Sequence, residues 1–327
     1  MNSYYIESIA TDYRKSAILF HAIESGIFNL IEKQSQRFSP MSISEQSNDK
    51  LTSNQTEVIL SCLSLYNIVD KIDFNTYKKN DMTVYLSDPQ VQRGLLNYKR
   101  EADIWFSSYE MAFSKSGKSQ ESEVFHSDKI NNYLDMVKVS NKPRIELFSK
   151  LLPKYISNIN NAMDLGGGHG AYSTALIDLY KNVNITLVDL NESIQYAKKS
   201  IDESYKKRMT FTSADARCIA YDGNFDFIMI NDLLHSFGRD EKITILKNAF
   251  NALSSGGSIC ISKFNLSNND KNNGNIIFSY KMMINTIDGY LESDEEVIDI
   301  LRGFGMKLTV NRTFPDIMSS SIILLYK

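Results

Sequence analysis

From Asn161 onward the chain alternates short apolar runs with helical stretches, and this rhythm limits the possible folds more than any other feature. The runs cover residues 162–165, 185–188, 209–212, 225–230 and 258–261. Strand alternating with helix predicts a parallel, doubly wound α/β sheet. Two final runs, 307–310 and 321–326, leave no room for a crossover helix between them. They must therefore pair antiparallel, closing a parallel sheet with a C-terminal hairpin.

At 327 residues the chain exceeds the roughly 250–300 residues that one core usually serves, so two domains are expected. A hydrophobic content of 43% is ample for both. Residues 1–95 read as mainly helical. Ala17 to Ile23 precede Ser25-Gly26, and Ile27, Phe28, Leu30 and Ile31 follow, the spacing of a helix, a glycine break and another turn. Residues 42–46 suit a short helix. Thr52 opens T-S-N-Q, an N-terminal cap before the apolar positions Val58 to Tyr66. Residues 68–74 and 83–86 then read as two short strands of a hairpin, which completes a winged-helix-like pattern. A winged helix serves either as a DNA reader or as a packing and dimerisation module. Residues 53–66 contain no Lys or Arg for phosphates and base edges, which favours dimerisation over nucleic acid.

Residues 96–158 read as linking helices that contribute to a substrate pocket. Trp105, Phe106, Tyr109, Met111, Phe113, Tyr133 and Met136 have the spacing of core residues or of an aromatic pocket wall, and both readings stay open. Of these, Trp105, Tyr133 and Met136 are the pocket candidates. Residues 267–275 form a polar, low-complexity stretch that suits a surface loop. His21 and His126 read as structural.

A net charge of −3 gives no global attraction to nucleic acid or anionic membrane. The N-terminus lacks the pattern of a signal peptide, and no apolar stretch reaches the ~20 residues of a bilayer crossing. Cys62, Cys218 and Cys260 are far apart and odd in number, as expected for reduced thiols in a cytoplasmic protein. With no paired Cys or His at ligand spacing, no metal site is expected.

Asp164-Leu165-Gly166-Gly167-Gly168-His169-Gly170 ends the first strand of residues 159–327. Glycines let a backbone approach a ligand closely, and the following helix offers free N–H groups. Taken alone, Gly166-x-Gly168-x-x-Ala171 also satisfies a dinucleotide fingerprint. Three acids separate the alternatives. Asp164 sits two residues before the first glycine, an awkward neighbour for pyrophosphate but a partner for an ammonium group. Asp189, followed by Leu190, ends the second strand, where a carboxylate accepts from ribose hydroxyls. Asp215 and Ala216 follow the third, within reach of an adenine amino group. Three acids around a glycine loop suit a cationic, phosphate-free nucleoside, S-adenosylmethionine, rather than NAD.

After the fourth strand comes Ile230-Asn231-Asp232-Leu233-Leu234-His235-Ser236-Phe237, at the carboxyl edge where open α/β sheets bind ligands. There Asn231 is placed for the methionine end of the cofactor. His235 is placed to remove a proton from an acceptor hydroxyl.

With these residues in hand, the chain resembles the class I small-molecule O-methyltransferases typified by plant caffeic acid and flavonoid enzymes and by bacterial antibiotic-pathway relatives. The resemblance runs from the winged-helix half through DLGGGHG, VDL, ADA, LLHSF and LSSGGSICISKF. It implies a Rossmann-like catalytic domain, a homodimer formed by the N-terminal domains, S-adenosylmethionine as methyl donor, and His235 as general base. Two departures stand out. Ser236 replaces the acid that usually follows the histidine, and Lys263 falls where an acid usually orients it, with the second acid expected near Leu291 and Glu292. Lys263 is thus an expected neighbour of the substrate pocket, and its charge disfavours a protonated imidazole. Nitrogen and carbon methylation, or a cyclase- or decarboxylase-like reaction that leaves the methyl group in place, remain alternatives. A non-catalytic, cofactor-sensing winged-helix protein and a nicotinamide dehydrogenase rank below these.

Overall fold

Gly26 adopts a left-handed conformation (φ 75°) that any side chain would strain, and there the first long helix breaks into two. These are α1 (Tyr13–Glu24) and α2 (Ile27–Glu32). In the computed structural model the described residues are 9–107, 130–221, 225–265, 273–314 and 320–327. Tyr109, Met111, Phe113 and His126 lie outside them, as does the 267–275 stretch up to residue 272. The chain divides into two compact units, Met1–Phe106 and Ser107–Lys327.

In the first unit, β1 (Arg37–Phe38), α3 (Pro40–Glu45) and α4 (Ser53–Leu65) follow. Thr52 caps α4 as expected: its side chain accepts from the Gln55 N–H at 3.2 Å, and the Gln55 side chain accepts in return from the Thr52 N–H. β2 (Asp70–Lys71) and β3 (Tyr77–Lys78) form the hairpin, and β1 completes an antiparallel sheet in the order β1-β3-β2. The second strand of this wing is therefore not at 83–86. Those residues lie in α5 (Asp81–Leu86), which is followed by α6 (Pro89–Trp105). The run Thr-Val-Tyr-Leu favours strand by composition, but Asn80 overrides that preference. Its side chain accepts from the Thr83 N–H at 3.0 Å, while the Thr83 hydroxyl accepts from the Asn80 N–H at 3.2 Å. Burial of Thr83 and Leu86, three apart, follows the helical period. Helix α6 runs through the expected boundary at residue 95, and the division falls just after the end of that helix. Phe28, Ile31, Ile43, Leu60, Leu63 and Tyr77 are fully buried in this unit.

The second unit begins its described part with α7 (Ile130–Ser140) and α8 (Lys142–Leu151). The sheet strands are β4 (Asn161–Leu165), β5 (Asn184–Asp189), β6 (Met209–Ser213), β7 (Phe225–Asn231), β8 (Leu253–Phe264), β9 (Lys307–Phe314) and β10 (Ser320–Tyr326). They are ordered β6-β5-β4-β7-β8-β10-β9. Pairing is parallel from β6 through β8, and β10 pairs antiparallel with both β8 and β9. The expected fold class, a parallel sheet finished by a hairpin, is the one observed.

Side chains alternate between the two faces at the strand period of two. Met163, Ile228, Ile230, Ile259 and Ile323 pack on one side against α12 (Arg239–Ala252) and α14 (Asp294–Gly303). Ala162, Phe227, Met229, Cys260 and Leu324 pack on the other against α8 and α9 (Ala171–Leu179). Helices α10 (Asn191–Ser200), α11 (Glu203–Lys206) and α13 (Asn273–Asn285) complete the unit. Among the described residues, no helix is long and apolar enough to cross a membrane.

Replacing the α5 cap tests the reading of the wing. Asn80→Ala removes the cap and the bond its amide donates to Asp70 (2.8 Å), and should cost about 2 kcal/mol. The loss should appear as a lower urea midpoint for the first unit, with the helical circular dichroism of the native state retained.

Candidate active site

The order of the sheet places the site. The chain lays down β4, β5 and β6 outward, then returns to set β7 on the other side of β4, and a crevice opens where the direction reverses. A cavity of about 770 Å³ lies there. Its lining includes Asp164, Gly166, Gly168, Asp189, Leu190, Asp215, Ala216 and Asn231, all expected cofactor-site residues, together with Tyr133 from α7.

The glycine loop is tethered before any ligand arrives. The Gly166 N–H donates to Val188 O (2.8 Å), and the Gly168 N–H donates to the Asp189 carboxylate (2.7 Å). Gly166 and Gly168 have φ of 74° and 50°, conformations that side chains rarely adopt. A Cβ at Gly166 would also lie 2.7 Å from the Leu233 side chain, so the turn admits nothing larger. Asp189 accepts from Leu190 N–H as well (2.7 Å). Each of its oxygens thus holds one backbone N–H, and the Ser193 side chain bonds the same carboxylate.

Asp164 is buried. One carboxylate oxygen accepts from the Ser173 hydroxyl at 2.7 Å, and the other has no hydrogen-bond partner among the described residues. Burial, with the nearby Asp189 charge, raises its pKa to about 7 despite the Ser173 bond. Asn231, 7% exposed, likewise has neither its amide N nor its O bonded among the described residues. Two buried polar groups facing one cavity without partners are a costly arrangement unless a ligand completes it.

Asp215 is less open than expected. Both its oxygens accept from the Arg217 guanidinium, at 2.6 to 3.1 Å, and Arg217 also reaches Glu241 at 2.6 Å. The Arg217 bonds hold the Asp215 carboxyl below its usual range.

One network of the site carried no signal in the sequence. Asp232, next to Asn231, has φ 52°, and its N–H donates to Ser262 O at 2.9 Å. Its carboxylate accepts from Asn141 (3.1 Å) and from the buried Arg144, which also donates to the Asn141 side chain. The Arg144 guanidinium lies 4.0 Å from the centre of the Phe264 ring. These contacts span about 90 residues of chain, and no local spacing betrays them.

His235 lies on a short turn of helix, Leu234–Ser236, and is buried. Its ring sits 5.1 Å from Phe278 of α13 and 6.1 Å from Phe264 of β8, centre to centre. Ser236 and Phe237 line the cavity beside it, and His235 does not. Burial, followed by the charges of Arg144, Lys242, Lys281 and Lys263, pushes its pKa down to about 3. A base with an ordinary imidazole pKa is thus not what this environment makes. His169 of the glycine loop is also buried, and burial with the charges of Lys138 and Arg144 lowers it to about 3. Its Nδ1 accepts from the Ala171 N–H (3.1 Å).

Three expected pocket residues do not line this cavity. Lys263 is 2% exposed and turned into the protein, where its ammonium donates to Glu292 O (2.7 Å) and to Asp294 (3.2 Å). Asp294, at the start of α14, and the Glu292 carbonyl just before it draw it inward. Met136 is buried on the packed face of α7. Trp105 belongs to the first unit, where its indole N–H donates to Glu101 at 3.1 Å.

Residues 95–307 match the O-methyltransferase domain family, well over half of the chain. The chain belongs to that family. With the family comes S-adenosylmethionine as methyl donor, the cofactor that the acids at the strand ends predict. An S-adenosyl-L-methionine-dependent methyl transferase of Serratia sp., PigF, is 28% identical over 140 residues, which are 41% of this chain and 39% of PigF. The sequence match therefore spans about two fifths of PigF's own length. Acetylserotonin O-methyltransferase of Bos taurus is 24% identical over 275 residues, 78% of each chain. Among solved structures, an O-methyltransferase family protein from Burkholderia thailandensis superimposes with a TM-score of 0.85 at 19% identity, covering 100% of this chain and 98% of that one. Human N-acetylserotonin methyltransferase in complex with its methyl donor gives 0.80 at 18% identity, covering 100% and 98%. The residues of this O-methyltransferase-family chain fit that donor: a glycine cradle, unpartnered atoms on Asp164 and Asn231, and acids at the ends of β4 and β5.

Both buried imidazoles are neutral in the folded protein and would be protonated below pH 6.5 in the unfolded chain. Their contribution to stability is therefore complete above pH 6.5 and is lost as pH falls toward 3. Each should remove about 1.4 kcal/mol per pH unit over that window. Urea unfolding between pH 7 and pH 5 should show this acid limb, and His169→Asn should make it shallower.

Proposed function

We propose that this chain transfers a methyl group from S-adenosylmethionine to an oxygen of a small, conjugated acceptor. The unpartnered buried atoms of Asp164 and Asn231, facing the cavity beside the glycine loop, carry this reading. A sulfonium donor supplies an electrophilic methyl group when bound. Asp164 and Asn231 then hold the charged amino acid end of the donor, whose ammonium and carboxylate match a carboxylate and an amide. Asp189 and the Leu190 backbone hold the ribose. Asp215 and Ala216 hold the adenine, with Arg217 fixing the Asp215 plane. Tyr133, Ser236 and Phe237 border the same cavity and guide the acceptor. His235, neutral behind that wall, shapes the acceptor side among Phe264 and Phe278.

The protein acts as a homodimer in this reading. Val58 (62% exposed), Leu65 (76%), Phe74 (81%) and Val84 (65%) give the first unit an apolar surface that a second copy would cover. The relative named for acetylserotonin supports a small-molecule acceptor as the class.

Calorimetric titration tests the reading. S-adenosylmethionine and its demethylated product should bind with Kd in about the micromolar range, and NADH should not bind. Asp164 must lose its proton to meet an ammonium group, and its pKa is about 7. Affinity should therefore rise about tenfold from pH 6 to pH 8, with proton release at the lower pH. Asp164→Asn should weaken binding by about 10- to 100-fold and remove the proton release. Binding of NADH in place of the sulfur nucleosides would defeat the proposal.

A further inference from the structure

Behind His235 lies a second group of charged side chains, none of them part of the donor cavity. Lys242 of α12, Lys263 of β8, Glu292 and Asp294 are each 1–2% exposed. Lys242 donates to Glu292 at 2.7 Å and to the Tyr290 carbonyl at 2.7 Å, with its ammonium 3.2 Å from the centre of the Tyr290 ring. Lys263 bonds Asp294 at 3.2 Å and lies 4.0 Å from the other Glu292 oxygen. Asn265 donates to the second Asp294 oxygen at 3.3 Å. Two ammonium groups and two carboxylates therefore neutralise each other in a sealed layer.

The surroundings of His235 follow from this layer. From α8 the ring faces Arg144, which is bonded to Asp232, the acid on its own strand end. The charges of Lys242 on α12, Lys263 on β8 and Lys281 on α13 all act against its protonation, and the Lys281 ammonium lies 5.9 Å from the Phe278 ring centre. In the segment packed against the His235 backbone, Asp288 is exposed and the Tyr290 hydroxyl donates to Glu296. Among the described residues no carboxylate is hydrogen-bonded to the imidazole, and the buried Glu292, Asp294 and Asp232 are held by Lys242, Lys263 and Arg144. An imidazole that must accept a proton needs an anion to stabilise the resulting cation. Here it meets two phenylalanine rings instead, and burial with the surrounding cationic charges disfavours its protonation.

We propose that this buried four-charge layer withholds a carboxylate from His235, and that the site takes acceptors which arrive already ionised, namely acidic phenols or enols present as oxyanions near neutral pH. This rests on the methyl-transfer reading above. In the transfer, a lone pair of the acceptor oxyanion forms the new O–C bond as the S–CH₃ bond of the donor breaks, and the bonding pair stays on sulfur. No proton moves in the step, since the acceptor's proton has already gone to solvent. His235 is then a neutral positioning residue, and Lys263 acts through it.

The experiment uses the whole chain, S-adenosylmethionine, and a series of substituted phenols whose acidities run from well below to well above neutrality. The limb of the kcat/KM profile should move with each phenol's own pKa. For the most acidic phenols His235→Gln should lower kcat by less than about tenfold, whereas loss of a working general base costs about 10²–10⁴-fold. A limb at one fixed pH for every phenol, with a loss of that larger size, would overturn the proposal while leaving methyl transfer intact. Binding of the donor without transfer to any phenol overturns the methyl-transfer reading itself, and this proposal with it. A readout independent of activity is the NMR titration of His235. In the wild type it should stay neutral at pH 5, and in Lys263→Met its midpoint should rise, because a neighbouring positive charge has gone. A wild-type midpoint near 6.5 would also overturn the proposal.

Discussion

Everything at this site hangs on the reversal of strand order at β4. Because β5 and β6 leave on one side of β4 and β7 returns on the other, the loops after β4 and β7 cannot cover each other, and the edge between them stays open. That single constraint brings Asp164 and the glycine loop opposite Asn231 and Asp232. The loop must then turn sharply within a few residues, which is why left-handed glycines stand at 166, 168 and 170. Asp189 completes the frame by drawing the Gly168 N–H across to β5, so the cradle is shaped by the protein's own hydrogen bonds before a ligand enters. Rigidity of this kind lowers the ordering cost of binding.

Within that frame the polar groups fall into two sets with opposite chemistry. Asp164 and Asn231 are buried and incomplete, and a group of matching charge gains the full benefit of pairing with them. Arg144, Lys242 and Lys263 are buried and complete, each held by an acid from a distant segment. The incomplete groups face the cavity. The complete ones stand away from it, and their charges act on the buried His235.

Much of this was legible in the sequence, for definite reasons. The seven strands of the second unit follow from apolar runs of strand length, and the closing hairpin follows from the short gap before 321. The glycine loop and Asp189 declare themselves because their roles depend on neighbours within a few residues. The wing was misplaced for an equally local reason: Thr83 to Leu86 have strand-forming side chains, but the cap formed by Asn80 decides the backbone. What stayed hidden depends on contacts between remote segments. Nothing near Lys263 reveals that Asp294 will draw it inward, and nothing near Arg144 reveals Asp232 some 88 residues away.

The four-charge layer also bears on why such residues persist. Removing four ions from water costs several kcal/mol each, and their mutual attraction rarely exceeds that penalty by much. An apolar set of similar volume would hold β8 against α12 at least as firmly, so stability is a poor explanation for the layer. Its geometry suggests a different one. Lys242 loses basicity through burial and is still kept charged by Glu292, 2.7 Å away. Lys263 donates in the same way to Asp294, at 3.2 Å. Each acid is thereby spent on a lysine and cannot serve the imidazole. Without the two lysines, Glu292 and Asp294 would be left to pair with an imidazolium, whereas here both are held. The arrangement is therefore better understood as electrostatic control of the acceptor wall than as glue for the fold.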